Sequence, residues 1–221
     1  HLGAQMPIRV IGMLLGIPEQ DLQAVREKGD NIMRTETGKP MDKDNLADNM
    51  SGERFEEYID WRIKHPSDDV MTELLTTEFK DDKGVTRTLT RDEVLTLVNV
   101  LSVAGNETTK RLIGWTGKIL GEHPDQRRKL TKNPTLIPAA IEEVLRLQPA
   151  GPHIGRYVTR DVEYYGKTVP KGSAMLFMAG AANRDEQRFA DGDSFNIHRE
   201  PKPRLTFGYG VHACVGRVLA R

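Results

Sequence analysis

Apolar residues along the first two-thirds of the chain recur at helical spacing, with polar residues on the opposite faces. Met6 to Leu15 is apolar on one face, and Gly16 marks its end. Pro18 suits a first helical turn and opens a second helix to about Arg34. Gly38 to Asp44 is a polar break. Asn45 to Lys64 reads as a charged amphipathic helix closed by His65-Pro66, and a short helix follows from Asp69 to Thr77. Lys80-Asp81-Asp82-Lys83-Gly84 predicts a turn within a small hairpin. Thr90-Arg91-Asp92-Glu93 has the form of a capping box, in which hydroxyl and carboxylate each accept from the other residue's backbone N–H. The apolar pattern then runs to about Gly121, predicting a rod on the order of 45 Å at about 1.5 Å per residue. Shorter helices are predicted from Asp125 to Leu130 and from Leu136 to Leu147.

After Pro149 the period changes. Arg156 to Tyr165 alternates and is rich in β-formers, Gly166 and Pro170-Lys171-Gly172 signal turns, and Ala174 to Met178 reads as a buried strand. Asn183 to Pro203 is irregular and charged. With no repeat and no linker, the pattern predicts one domain over residues 1–221, mainly α with a minor β part.

Composition narrows the function classes. The 221 residues carry 32 basic and 32 acidic side chains, which removes any global electrostatic argument for nucleic acid or an anionic membrane surface. A single cysteine excludes an internal disulfide framework and suits a reducing, cytoplasmic compartment. The longest apolar stretches, near Leu97 to Ala104 and Ala174 to Ala182, are too short to span a bilayer, so no membrane anchor is expected in this segment. The chain opens at His1 and stops at Arg221 inside a helical pattern, which reads as an internal piece of a longer protein.

The densest chemical signal is the run Phe207-Gly208-Tyr209-Gly210-Val211-His212-Ala213-Cys214-Val215-Gly216. It holds the only cysteine, in a glycine-punctuated loop ahead of a predicted helix start at Val215. A helix N-terminus and a cationic neighbour both favour a thiolate. Gly208, Gly210 and Gly216 would let backbone approach a flat ligand and turn N–H groups toward the sulfur. The alternative is a lone buried cysteine beside a glycine turn. In the long helix, Ala104-Gly105-Asn106-Glu107-Thr108-Thr109 places glycine where it costs about 1 kcal/mol against alanine. Ala104 and Thr108 share a face that Leu97 and Leu101 extend. Either a ligand approaches here, or the small residues form a notch for a neighbouring helix. Glu143-Val144-Leu145-Arg146 sets opposite charges three residues apart, a spacing that alone is common on surfaces.

Taken together these runs resemble the cytochrome P450 monooxygenases. The cysteine run is similar at every fixed position to the family's haem-ligating loop, Phe-Gly-x-Gly-x-His-x-Cys-x-Gly, and the likeness extends from about Met6 to Arg221, nearest the soluble bacterial branch. It implies the P450 fold, incomplete, without its N-terminal part and extreme C-terminus. It implies haem b (iron protoporphyrin IX) as cofactor, with Cys214 as the axial thiolate to iron and Phe207, Gly208, Gly210 and Gly216 around it. Ala104 and Gly105 would lie over the other face of the ring, and Arg156 and His212 would bind its propionates. Thr108 and Glu107 become the alcohol and acid that bind dioxygen and relay protons. Glu143, Arg146 and, from the irregular segment, Arg199 become a structural lock, and Asn183-Arg184-Asp185 with Phe189 resembles the segment before the family's meander. Leu97, Leu101, Ala104, His153 and Ile154 are the implied substrate contacts, His153 standing where an apolar residue is frequent. Ala213 and Val215 are smaller than usual beside the cysteine, and Arg217 is larger.

The implied activity inserts one atom of dioxygen into a small apolar organic substrate. Electrons would come from a ferredoxin or flavodoxin with its reductase, since no flavin or nicotinamide motif is present. A peroxide-dependent hydroxylase on the same fold, and an inactive truncated haem-binding fragment, are the alternatives. Residues 1–221 alone are expected to bind haem weakly.

Overall fold

The computed structural model describes residues 2–32, 52–200 and 202–221. The predicted break from Gly38 to Asp44, the end of the second helix at Arg34 and the first residues of the helix predicted from Asn45 lie outside them. The chain divides into two compact units, His1–Lys110 and Arg111–Arg221.

In the first unit, α1 (Leu2–Leu15) is closed by a backbone bond from Ile17 N back to Gly12 O at 2.8 Å, a glycine-terminated helix end. A 3-10 turn (Glu19–Asp21) leads into α2 (Leu22–Ile32). Among the described residues, the charged helix predicted from Asn45 is α-helical as α3 (Glu56–Lys64). Gly52 holds a left-handed conformation (φ +82°) and a 3-10 turn, Glu53–Phe55, follows it, so the register of a continuous helix is broken there. The next helix, α4 (Val70–Thr76), is capped by Asp69, which accepts from Thr72 N at 2.9 Å and pairs with the buried Arg62 at 2.6 Å. Strands β1 (Phe79–Lys80) and β2 (Thr86–Arg87) form the expected hairpin. Ile8, Ile11, Leu15, Phe55, Ile59, Met71, Val94 and Val98 fill the core.

The long helix, α5 (Arg91–Glu122), starts on its capping box. Thr90 N donates to Glu93 Oε2 at 2.7 Å and Glu93 N to Thr90 Oγ1 at 3.3 Å. Arg87 grips the same carboxylate with two bonds of 2.7 and 2.8 Å, and these bonds, then the Thr90 N–H, pull the Glu93 pKa down to about 2.

In the second unit, α5 continues to Glu122 and is followed by α6 (Pro124–Lys132), a 3-10 turn (Pro134–Leu136) and α7 (Ile137–Leu147). Leu112, Ile119, Leu130, Val144, Leu145, Leu147, Phe195 and Ile197 make its core. Strand β3 (Ile154–Tyr157) pairs antiparallel with β6 (Ala174–Phe177), Ile154 opposite Phe177, and β4 (Val162–Tyr164) pairs with β5 (Lys167–Val169). The strand from Ala174 is present but not buried. Leu176 and Phe177 are 60% and 47% exposed, because among the described residues β3 and β6 form a two-stranded sheet with no third strand. A short α8 (Ala179–Ala182) precedes irregular chain, as predicted from Asn183 onward. The helix expected after Cys214 is a 3-10 turn, Val215–Arg217, with one helical bond beyond it, Ala220 N to Gly216 O at 2.9 Å. Among the described residues no helix is long and apolar enough to cross a membrane. The observed class is mainly α with minor β.

Candidate functional site

The amphipathic face of α7 buries two charges. Arg146 is 1% exposed and Glu143 3%, and they join through two parallel hydrogen bonds of 2.8 Å, Nε to Oε2 and Nη2 to Oε1. This fork geometry is the strong form of an ion pair. Arg199 adds a third arm at 2.9 Å to Glu143 Oε1, and Asn196 N donates to the same oxygen at 3.2 Å. Burial pushes the Glu143 carboxyl up, but the hydrogen bonds and charges of Arg146 and Arg199 together outweigh it and hold the group below the usual carboxylate value. The remaining Arg146 N–H groups reach backbone: Asn183 O at 2.9 Å, Gly192 O at 2.6 Å and Ser194 O at 3.1 Å. A Cβ on Gly192 would stand 2.1 Å from the Arg184 carbonyl oxygen, so only glycine allows this approach. The structure thus brings Glu143, Arg146 and Arg199 together.

The brace continues into the cysteine loop. Asn183 is 1% exposed, and its side chain accepts from Leu205 N at 2.8 Å and donates to Thr206 Oγ1 at 2.9 Å. Thr206 in turn donates to Leu145 O of α7 at 2.7 Å. Leu205 and Thr206 are therefore tied to the helix immediately before Phe207, whose ring packs on the unit's core. Inside the loop, Gly208 and Gly210 both take φ +71°, Ala213 N donates to Gly210 O at 3.0 Å, and Cys214 N closes back on Phe207 O at 2.8 Å. The result is a tight turn that presents Cys214 as an exposed free thiol, not a buried one. A Cβ at Gly210 or Gly216 would meet nothing within 4 Å, so the space beside the loop is open. His212, exposed, ends the 3-10 turn Gly210–His212. Arg156, exposed on β3, spends one N–H on its neighbour's Gly155 carbonyl at 2.8 Å. Next to it Ile154 is half-buried and His153 exposed. Asn183 was legible only through its family-like tripeptide, and Thr206 carried no charge or spacing signal at all.

In the first unit, the α5 residues from Ala104 to Thr108 split between two faces. Gly105 is turned to α1: a Cβ there would lie 2.3 Å from Ile11 Cδ1, which makes it the packing notch of the two roles weighed. Ala104 and Thr108 stand on an exposed face, with Leu97 exposed and Leu101 half-buried along it. The Thr108 hydroxyl donates to Ala104 O at 2.7 Å, so its proton is engaged by its own helix and its lone pairs face outward. Glu107 pairs with Lys110 at 2.6 Å, and Lys110 reaches Asp30 of α2 at 3.2 Å. The Glu107 contact, reduced by desolvation and reinforced by Asp30, raises the Lys110 pKa.

A family model described as Cytochrome P450 matches residues 41–221. The chain belongs to the cytochrome P450 family. It is 40% identical over 225 residues to cytochrome P450 CYP107DY1 of Priestia megaterium, covering 98% of this chain and 52% of that protein. It is 35% identical over 219 residues to the mycinamicin IV hydroxylase/epoxidase of Micromonospora griseorubida, covering 98% and 54%. Its fold is similar to that of a P450 EryK mutant in complex with erythromycin B, with TM-score 0.89 and 29% identity over 99% of this chain and 56% of that one. The chain spans about half the length of the curated relatives it matches.

Membership in the P450 family implies haem, and the donor chemistry fits it. Cys214 offers one thiol on an exposed loop beside open space. Among the described residues no group of three or more His, Cys, Asp or Glu could hold a metal ion unaided. A single protein thiolate suffices only for an ion that brings its own equatorial ligands, as haem iron does.

Proposed function

We propose that the whole protein is a haem-thiolate monooxygenase, with haem b as cofactor, that inserts one oxygen atom into a small apolar organic substrate. The carrying observation is the exposed Cys214 thiol on a glycine loop anchored to a fully buried ion pair. Charges so costly to bury suit a loop whose position must not drift. Bound haem would supply the redox centre at which dioxygen is activated. Cys214 would hold it from the loop, with Phe207 and the glycines of the turn against the ring and His212 and Arg156 as donors to its carboxylates. Thr108, after rotating its O–H away from Ala104, would orient dioxygen, and Glu107 would pass protons from solvent, its carboxylate oriented by Lys110. Leu97, Leu101 and Ala104, with Ile154 and His153, are the residues proposed to meet substrate. A ferredoxin or flavodoxin with its reductase would deliver electrons, in the cytoplasm, where a lone thiol stays reduced.

The test is the reduced carbonyl spectrum of the haem-loaded protein. Cys214→Ser is expected to abolish the red-shifted Soret band, because an alcohol supplies no thiolate donor. A variant that kept the band would remove Cys214 as the ligand.

A further inference from the structure

Glu142 is the neighbour of Glu143 on α7, and about 100° around the helix its carboxylate meets two other arginines. Arg204 Nη2 sits against Oε2 and Arg221 Nε against Oε1, while Arg204 Nη1 donates to the Glu142 carbonyl at 2.7 Å. Arg204 lies just before Phe207, and Arg221 lies beyond Cys214. The Arg221 guanidinium also covers the Phe207 ring at 4.8 Å and donates to Arg217 O at 3.0 Å. One carboxylate therefore receives both ends of the segment that carries the cysteine.

We propose that Glu142 is the positioning residue of the cysteine loop, a two-armed ionic clasp that closes the segment from Arg204 to Arg221 onto α7. Closing a flexible segment at both ends removes most of the conformations open to its middle. The clasp differs from the Glu143 brace: its carboxylate is 20% exposed, Arg204 is 13% exposed and Arg221 40%. Its action is to balance two like charges. Burial lowers the Arg204 pKa, and the positive charge of Arg221 lowers it further, so the two guanidinium groups repel across the carboxylate. Without that carboxylate they would push the ends of the segment apart.

This repulsion makes the proposal separable from plain loss of packing. In full-length protein with Cys214 as its sole cysteine, a nitroxide attached to Cys214 reports loop motion without haem. Glu142→Gln is expected to raise label mobility at least twofold, Arg221→Gln to raise it less, and Glu142→Gln combined with Arg221→Gln to fall back between them, because one of the repelling charges is gone. Glu142→Asp should restore most of the order. In the haem-loaded protein, Glu142→Gln should lose at least half of the thiolate-type carbonyl band at a urea concentration that leaves the helical circular dichroism unchanged. The consequence for ligation rests on the proposed haem-thiolate function; the loop fixation does not. Unchanged label mobility in Glu142→Gln, or a double variant more mobile than either single one, would overturn the clasp. If Glu142→Gln unfolds, Arg221→Gln alone decides, and no change in its label mobility would also overturn it. Ordered label data alongside an unaffected carbonyl band in Cys214→Ser would instead sink the haem-thiolate assignment and leave the clasp standing.

Discussion

Two helical turns in this chain have the same local sequence logic, an acid with a base three residues on, and opposite surroundings. Glu143 and Arg146 on α7 are joined at 2.8 Å with side chains 3% and 1% exposed. Glu107 and Lys110 on α5 are joined at 2.6 Å with side chains 20% and 32% exposed. The distances barely differ, so distance does not decide what each pair is worth. Burial does. A solvated pair is offset by water and salt and contributes about 0–1 kcal/mol. A buried one, once formed, cannot lose a partner without stranding the other charge. The first therefore acts as a fixed anchor beneath the cysteine loop. The second lies nearer solvent, where the proposed proton relay would need it.

The sharpest way to break this comparison is Glu143→Gln. Arg146 would be left buried with no balancing charge, and urea unfolding should show a loss of about 3–5 kcal/mol. A loss under about 1 kcal/mol would put the pair in the same class as a surface pair. The same anchor should show in acid. The native Glu143 value lies below the ordinary glutamate value of about 4.3. Its contribution is therefore complete above that pH and is lost as pH falls through the native value. The second unit should loosen only in that acid range.

Thr108→Ala addresses function on the exposed turn. Its single bond is to its own helix, so stability should hardly move, within about 0.5 kcal/mol for a surface site. Product formed per reductant consumed should fall roughly tenfold or more, as expected when a positioned proton donor is removed. Oxygen-electrode and product assays run together read this directly, and tight coupling in the variant would remove Thr108 from the proposed relay. The smallest effect is expected from Lys110→Met, which should cost under about 1 kcal/mol by the same unfolding assay. A larger cost would mean that the Asp30–Lys110–Glu107 chain is structural and that the contrast with α7 is one of degree.

The same contrast explains what the amino-acid pattern could and could not reveal. The capping box at Thr90 and Glu93 is local: four consecutive residues and a known backbone geometry are enough, and it forms as expected. The i, i+3 spacing at Glu143 and Arg146 is equally local, but its burial depends on Arg199, Gly192 and Ser194, some fifty residues away. Only resemblance to a family supplied Arg199. Nothing local marked Arg204 and Arg221 as partners of Glu142, because the three meet only once the loop is closed. The broken helix at Gly52 was missed because a single glycine within charged, helix-compatible residues is weak evidence against a helix. Burial of the strand from Ala174 was overread for a related reason. A run of apolar residues shows what could be covered, and the covering elements decide whether it is.

Arg146 makes its distant hydrogen bonds to carbonyl oxygens, and the side chain it meets in the segment it holds is the buried Phe189 ring, 5.4 Å from the guanidinium. Asn183, Gly192 and Ser194 each offer it only a backbone group. Every residue type has that group, so the hold is indifferent to most of the letters between Asn183 and Ser194. Mutational tolerance along this stretch should accordingly be uneven. Exposed positions such as Glu186 and Gln187 can be rewritten freely, whereas Asn183 is barred by its side-chain bonds and Gly192 by the lack of room for a Cβ. A chain held this way can change its surface, and so whatever meets that surface, while the cysteine loop keeps its place.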